Sequence, residues 1–208
     1  MKCKVNKTTQ PIRSQKDRDA LVSYFLNHSL RDYALFIFGI YTGRRIADLV
    51  ALNVRDVAYI DMKSRFCIVE RLKIQEKKTG KFIDLLLHPY ARRALKKYLK
   101  KRLKSAPSMG AVMNEPLFMS QKARRSDGQF RITRRHALRV LSGAARACGL
   151  NYKIGTHSLR KTFGYMLYSS GTDIELIQRL LNHSSPAVTL SYIGITQDDM
   201  DEAILGLD

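Results

Sequence analysis

The sequence predicts a mainly α-helical fold carrying a small antiparallel β-sheet, an α+β class, and three observations carry that expectation. Apolar residues recur at helical spacing over most of the chain, most clearly at Ala91, Leu95, Tyr98, Leu99 and Leu103 and at Leu159, Phe163, Met166 and Leu167. Residues 57–87 break that period with short apolar runs, Ala58-Tyr59-Ile60, Phe66-Cys67-Ile68-Val69 and Phe82-Ile83-Asp84-Leu85-Leu86-Leu87, separated by turn residues. At 208 residues the chain is long enough for one well-buried core and short for two.

Taken in order, residues 1–13 are polar and basic without a clear period and are expected to form a flexible segment. Ser14 followed by Asp17 caps a first helix through Leu21, Tyr24 and Phe25. From Leu30 to about Thr42 the chain is apolar nearly all round, which predicts a buried central helix that stops at Gly43. Ile46, Leu49 and Val50 mark a third helix, with Arg45 and Asp48 three apart on another face, and the arginine opens it where its charge opposes the helix dipole. Three short strands follow, and the second and third are expected to flank an exposed basic hairpin turn, Glu76-Lys77-Lys78-Thr79-Gly80. Pro89 opens a helix whose Arg92, Arg93, Lys96, Lys97, Lys100 and Lys101 lie off the apolar stripe, as either a solvated face or a phosphate-contacting one.

Residues 105–129 read as loop around Pro107, Gly110 and Gly128, with at most one strand near Pro116-Leu117-Phe118-Met119. A basic helix runs from about Thr133 to Cys148, bearing Arg134, Arg135, Arg139 and Arg146, and Gly149 stops it. Thr156 is expected to cap the next helix, which ends at Gly171. Thr172 and Glu175 form a capping box for another that reaches about Leu181, and Pro186 opens a short final helix leading to Tyr192.

Charge narrows the function classes. Lys and Arg number 37 against 18 Asp and Glu, a net charge of +19, and such an excess attracts a polyanion, nucleic acid first and an acidic membrane surface second. No apolar run approaches the roughly 20 residues that span a bilayer, and Met1-Lys2-Cys3-Lys4-Val5 lacks the apolar core of a signal peptide, so a cytoplasmic location without membrane contact is expected. Cys3, Cys67 and Cys148 are odd in number with no close pair, which argues for reduced thiols over disulfides or a zinc knuckle. The histidines lack close ligand spacing and an acidic cluster, so neither a metal nor another cofactor is expected, and Lys78-Thr79 lacks the spacing of a phosphate-binding loop.

The last third carries the chemistry-bearing residues: His157-Ser158-Leu159-Arg160, then Asn182-His183-Ser184-Ser185, then Tyr192. Two histidines, an arginine and a tyrosine at these spacings suggest phosphoryl transfer on a nucleic acid. By itself His157-x-x-Arg160 is a weak signal, because two cations one turn apart on a basic protein more often form a solvated or DNA-backbone surface. A lone tyrosine near a helix end is usually a packing residue, and His183 reads equally as a helix C-terminal cation.

Adding Thr42-Gly43-Arg44-Arg45-Ile46-Ala47-Asp48-Leu49 and Lys78-Thr79-Gly80-Lys81 produces an ordered set that resembles the tyrosine recombinase (phage integrase) family, over roughly residues 14–197. That resemblance implies the catalytic domain shared with type IB topoisomerases and makes Arg45, Lys78, His157, Arg160, His183 and Tyr192 the active-site residues. Arg45 takes the arginine position of the family's Thr-Gly-x-Arg pattern, which leaves Arg44 an unassigned cation suited to phosphate contact, and Asp48 is expected to buttress Arg45 through an ion pair. Arg45 and Arg160 would stabilise charge on the non-bridging oxygens without a metal. His157 would act as base, Lys78 as acid and His183 as a phosphate hydrogen-bond donor, with Tyr192 the nucleophile that forms a 3′-phosphotyrosyl intermediate without ATP.

The implied function is site-specific recombination, of integrase or invertase type, on double-stranded DNA by a homo-oligomer, a tetramer when assembled on DNA. The alternatives are a catalytically idle regulatory DNA-binding protein of the same fold, or topoisomerase-like relaxation. Many family members carry a separate helical DNA-clamping domain ahead of the catalytic one, whereas here 13 residues precede the first expected helix, consistent with either a catalytic fragment or a minimal member. Beyond residue 197, Asp198, Asp199, Asp201, Glu202 and Asp208 around Met200, Ile204, Leu205 and Leu207 form an acidic amphipathic tail over 198–208. In the family such a tail commonly packs on a neighbouring protomer; packing on its own domain is the alternative.

Overall fold

The computed structural model describes residues 9–120 and 130–207. Cys3 and most of the expected flexible segment, Gly128 with the end of the 105–129 loop, and Asp208 of the tail lie outside the described residues. The fold is built on α2 (Leu30–Thr42), which packs against α1 (Gln15–His28), α4 (Pro89–Leu103) and α7 (Thr156–Ser169). Ser29 starts α2 by accepting from the Asp32 N–H at 3.3 Å, and Gly43 stops it at φ +62°, a left-handed turn that glycine enters without Cβ strain. A Cβ at Gly39 would lie 2.5 Å from Leu159, and one at Gly43 only 2.3 Å from Phe163. The Cβ-free surface of α2 therefore lets α7 approach, and α7 carries two of the expected active-site residues.

The expected helices form, with local corrections. Ser14 caps α1 through the Asp17 N–H, and Thr133 caps α6 (Arg134–Ala147) through the His136 N–H. Gly155, not Thr156, holds the N-cap of α7, and its N–H donates to Ser158 Oγ at 3.0 Å while Thr156 is the first helical residue. Asp173 caps α8 (Ile174–Leu181) by accepting from the Glu175 and Leu176 N–H groups, because Thr172 is still held by the preceding helix through its own N–H to the Leu167 carbonyl. Pro186 opens α9 (Pro186–Ile193) as expected, but α10 (Gln197–Leu205) follows it. A short α5 (Met109–Met113) occupies part of the expected loop.

The β region differs more. Two separate two-stranded antiparallel sheets form: β1 (Ala58–Ile60) with β2 (Phe66–Ile68), and β3 (Arg71–Gln75) with β4 (Phe82–Leu86). The hairpin turn thus joins β3 to β4, and Phe66–Ile68 pairs backward with β1. The strand overlooked in the sequence, Arg71-Leu72-Lys73-Ile74-Gln75, buries Leu72 and exposes its charged neighbours. Its alternating cations read as surface, although alternation is what a half-buried strand requires.

Residues 9–13, placed by composition in the flexible segment, are anchored instead. Ile12 is fully buried, its N–H donates to Thr162 Oγ1 at 2.8 Å, and the Gln10 N–H donates to the Lys153 carbonyl. Two apolar clusters result. The larger spans α1, α2, α4, α6 and the near face of α7; the smaller unites Phe163, Ile177, Leu181 and Ile193 from α7, α8 and α9. No helix of the described residues is long and apolar enough to cross a membrane.

Candidate active site

The first turn of α7 presents His157 outward and buries Arg160, one turn apart on a helix held against α2. Arg160 Nη1 donates to the Gly43 carbonyl at 2.8 Å and Nη2 to the Leu181 carbonyl, so its fork joins the end of α2 to the end of α8. After Leu181 the chain turns through Asn182, whose left-handed backbone (φ +50°) ends α8 and releases His183 from the helix. Ser185 then caps α9 by accepting from the Val188 N–H, Pro186 supplies a first turn needing no donor, and Tyr192 falls in the last turn.

The local geometry gathers four of the six expected residues directly. Tyr192 Oη lies 3.5 Å from His157 Nδ1, the outer limit of a hydrogen bond. The His183 ring meets the Tyr192 ring edge-on with centroids 4.8 Å apart, and His183 Nδ1 lies 3.2 Å from Thr189 Oγ1. Arg160 comes close enough to hydrogen-bond the Tyr192 hydroxyl. Arg45, the N-cap of the four-residue α3 (Ile46–Leu49), acts on the Tyr192 hydroxyl through its charge. Lys78 stands apart: it is exposed on the β3–β4 turn, and no described hydrogen bond joins it to the cluster.

The protonation states suit nucleophilic chemistry. Burial pushes the Tyr192 hydroxyl above its usual value, and the fields of Arg160 and Arg45 with the Arg160 hydrogen bond offset only part of that rise. Desolvation lowers His157, reinforced by Arg134, Lys161, Arg160 and Arg45. Desolvation, Arg160 and Arg45 bring His183 down to about 4. Both imidazoles are therefore neutral at pH 7. One nitrogen of His157 can accept a proton, while the tyrosine keeps its own until a base takes it.

Two expectations about neighbours are corrected. Asp48 does not pair with Arg45. It is buried, and its Oδ1 accepts the Lys77 N–H at 3.1 Å. The carboxylate beside Arg45 is Glu76, whose Oε2 lies 2.8 Å from Arg45 Nη1. Arg44 is no phosphate contact: it is 1% exposed and bonded to the Thr42 carbonyl, Glu76 Oε1 and the Leu180 carbonyl. Among the described residues Arg44 is the largest fully buried side chain, and its guanidinium fills the junction of α2, the β3–β4 turn and α8.

Sequence reasoning also passed over Lys161, whose Nζ sits 5.3 Å from the Tyr192 ring centroid and whose pKa desolvation lowers. Its signal was present, because His157 and Lys161 are four apart on one helix and share a face. Glu76 left no comparable signal, since Arg44 lies 32 residues away and only the fold brings them together.

The phage integrase family profile matches residues 14–198. A Bacillus subtilis protein named probable integrase/recombinase YoeC is 41% identical over 189 residues, covering 91% of either chain. Tyrosine recombinase XerD of Corynebacterium glutamicum is 31% identical over 180 residues, and the chain spans 52% of its length. Among solved structures, XerA recombinase superposes with a TM-score of 0.71 at 24% identity over 96% of this chain and 64% of that one. XerH recombinase bound to its difH substrate superposes with a TM-score of 0.68 at 22% identity, covering 96% of this chain and 53% of that one.

Proposed function

Since the chain belongs to the phage integrase family, and is a tyrosine recombinase by that membership, we propose that it breaks and rejoins duplex DNA through Tyr192. The observation that carries the proposal is the Tyr192 hydroxyl held 3.5 Å from a neutral His157 with the Arg160 guanidinium beside it. Tyr192 Oη attacks the scissile phosphorus and His157 takes its proton. The bond from phosphorus to the 5′ oxygen breaks, and that oxygen leaves with a proton from Lys78. Arg45 and Arg160 meet the charge that builds on the non-bridging oxygens, and His183 donates to one of them. Attack by a second 5′ hydroxyl reverses each step, so the strand is resealed with no net change in phosphodiester bonds and no ATP.

Arg134 on α6 acts on His157 through its charge, and with exposed Arg135 and Arg139 on the same helix it supplies backbone contacts to DNA in this reading. Assembly as a tetramer on DNA is part of the same reading. In α10, Met200, Ile204 and Leu205 are exposed while Arg13 pairs with Asp199 at 2.9 Å, which leaves an apolar face for a neighbouring protomer.

The test is a covalent adduct trapped on a nicked half-site duplex carrying the sequences that flank the gene. Wild-type protein forms a detergent-resistant adduct at the 3′ phosphate, and Tyr192→Phe forms none. No wild-type adduct, or an adduct that survives Tyr192→Phe, overturns the reading.

A further inference from the structure

We infer that Glu76 is a positioning residue whose buried carboxylate sets Arg45 at the scissile phosphate and locks the turn bearing Lys78 against the same anchor. This rests on the roles proposed above for Arg45 and Lys78. Glu76 is 0% exposed in a chain of +19 net charge, and both its oxygens are in use. Oε1 accepts from Arg44 Nη1 at 3.2 Å; Oε2 lies 2.8 Å from Arg45 Nη1 and accepts from Thr79 Oγ1 at 2.8 Å.

The turn is closed on Glu76 as well. The Glu76 N–H donates to the Lys81 carbonyl at 2.9 Å, and the Gly80 N–H donates to the Glu76 carbonyl at 2.8 Å. On its other side the Lys77 N–H is held by Asp48 of α3. Arg44 extends the network to the Leu180 carbonyl at the end of α8, one turn before His183. A single carboxylate therefore ties together α3, the hairpin turn and the helix leading to the nucleophile.

A long arginine side chain loses several rotamers when fixed, and an anionic anchor on one of its nitrogens settles that cost before the phosphate arrives. Negative charge is also required. Without it Arg44, Arg45 and Arg160 repel one another, and Arg45 turns toward solvent. Burial alone would raise the Glu76 carboxyl, but the close ion pair with Arg45, the hydrogen bond from Thr79 and the field of Arg44 hold it below its usual value, so it stays ionised.

The experiment is a double-variant cycle on adduct formation from the nicked half-site duplex, using Glu76→Gln and Arg45→Lys singly and together, with DNA affinity and thermal melting measured on each. Glu76→Gln is expected to slow single-turnover cleavage about 100-fold, the scale of losing one aligned transition-state donor, with duplex affinity unchanged. In the Arg45→Lys background the same change costs about threefold or less, because the guanidinium it positions is gone. Equal loss in both backgrounds marks a general structural role and overturns the inference, as does wild-type cleavage by Glu76→Gln. Should Glu76→Gln melt below the assay temperature, Glu76→Asp, which keeps the charge and shortens the reach, takes its place in the cycle with the same criteria. Loss of the wild-type adduct itself would strike the Tyr192 reading, a result distinct from any ratio within the cycle.

Discussion

The described residues form two apolar clusters of very different size, and the proposed active-site residues divide between them. Arg45 and Arg160 grow from elements sealed into the large cluster around α2, and His157 shares the helix of Arg160. Tyr192 packs on the small one with the His183 ring edge-on against it, and four buried residues there, Phe163, Ile177, Leu181 and Ile193, hold α8 and α9 to the back of α7. Burial of that few side chains contributes only about 1.5–3 kcal/mol apiece, so the proposed nucleophile sits on the smaller cluster while the cations proposed to bind phosphate sit on the larger one. Polar clamps compensate: Arg44 and Arg160 donate to the Leu180 and Leu181 carbonyls. Two cations at that helix end also complement its dipole. The division teaches that buried cations rivet the two regions together, and that Arg160 alone of this pair serves twice under the proposed chemistry, as rivet and as charge beside the Tyr192 hydroxyl.

The strongest way to break this comparison is to remove a rivet. Arg160→Ala should lower single-turnover cleavage about 1000-fold or more through lost charge stabilisation. It should also lower the melting temperature, because the Gly43 and Leu181 carbonyls lose their buried donor. Unchanged melting would show that the clamp adds nothing to the union of the two regions.

Next in size is a wedge between α7 and the small cluster. A Cβ at Gly164 would lie 2.6 Å from Ile193 and 3.0 Å from Leu181, so Gly164→Val should destabilise the protein by about 1–3 kcal/mol. Hydrogen exchange should speed up in α8 and α9 while α2 and α4 keep their protection. Uniform acceleration across all four helices would erase the distinction between the regions.

A smaller effect is the pH dependence of cleavage. His157 must be neutral to accept the tyrosine proton, and its pKa is lowered, chiefly by desolvation and then by Arg134 and Lys161. The second-order rate constant should therefore be flat near pH 7 and fall only below the ordinary histidine range, by about tenfold per pH unit. An acid limb centred above pH 6.5 would contradict His157 as the base.

Least in size is a stability change belonging to the small cluster alone. Desolvation, with Arg160 and Arg45 nearby, holds His183 down to about 4 in the fold, below the ordinary 6.5 that the unfolded chain keeps. On acidification the unfolded chain takes up the proton first, so the stability tied to neutral His183 is complete above about pH 6.5 and lost as pH falls toward 4. His183→Gln should show a shallower drop in melting temperature across that window, and parallel curves would remove His183 as its cause.

Much of the helical framework was legible because helix signals are local. The Ser14 cap, the helix start near Thr133, the stop at Gly43 and Pro186 at the start of α9 depend on neighbours within a turn, and each stands where its residues place it. The caps at Gly155 and Asp173 missed by one residue, because two adjacent candidates competed and the end of the preceding segment decided. Strand pairing was the weakest reading. Phe66–Ile68 is compatible with either neighbour, and its pairing with Ala58–Ile60 depends on the intervening turn and on burial of Leu72 in the next strand.

The sequence by itself determined the residue types of the site, their order along the chain and the helices that carry most of them, because cap chemistry and apolar spacing act over a few residues. What only the tertiary structure decided is which charges meet. Arg44 and Arg45 are adjacent and chemically identical, yet one is sealed inside with Leu180 and Glu76 while the other keeps a nitrogen beside the same carboxylate and acts on Tyr192 through its charge. Asp48, one turn from Arg45, turns instead to the Lys77 N–H. Ion pairing inside a protein follows desolvation and distance in three dimensions, and neither is written in the spacing of residues along the chain.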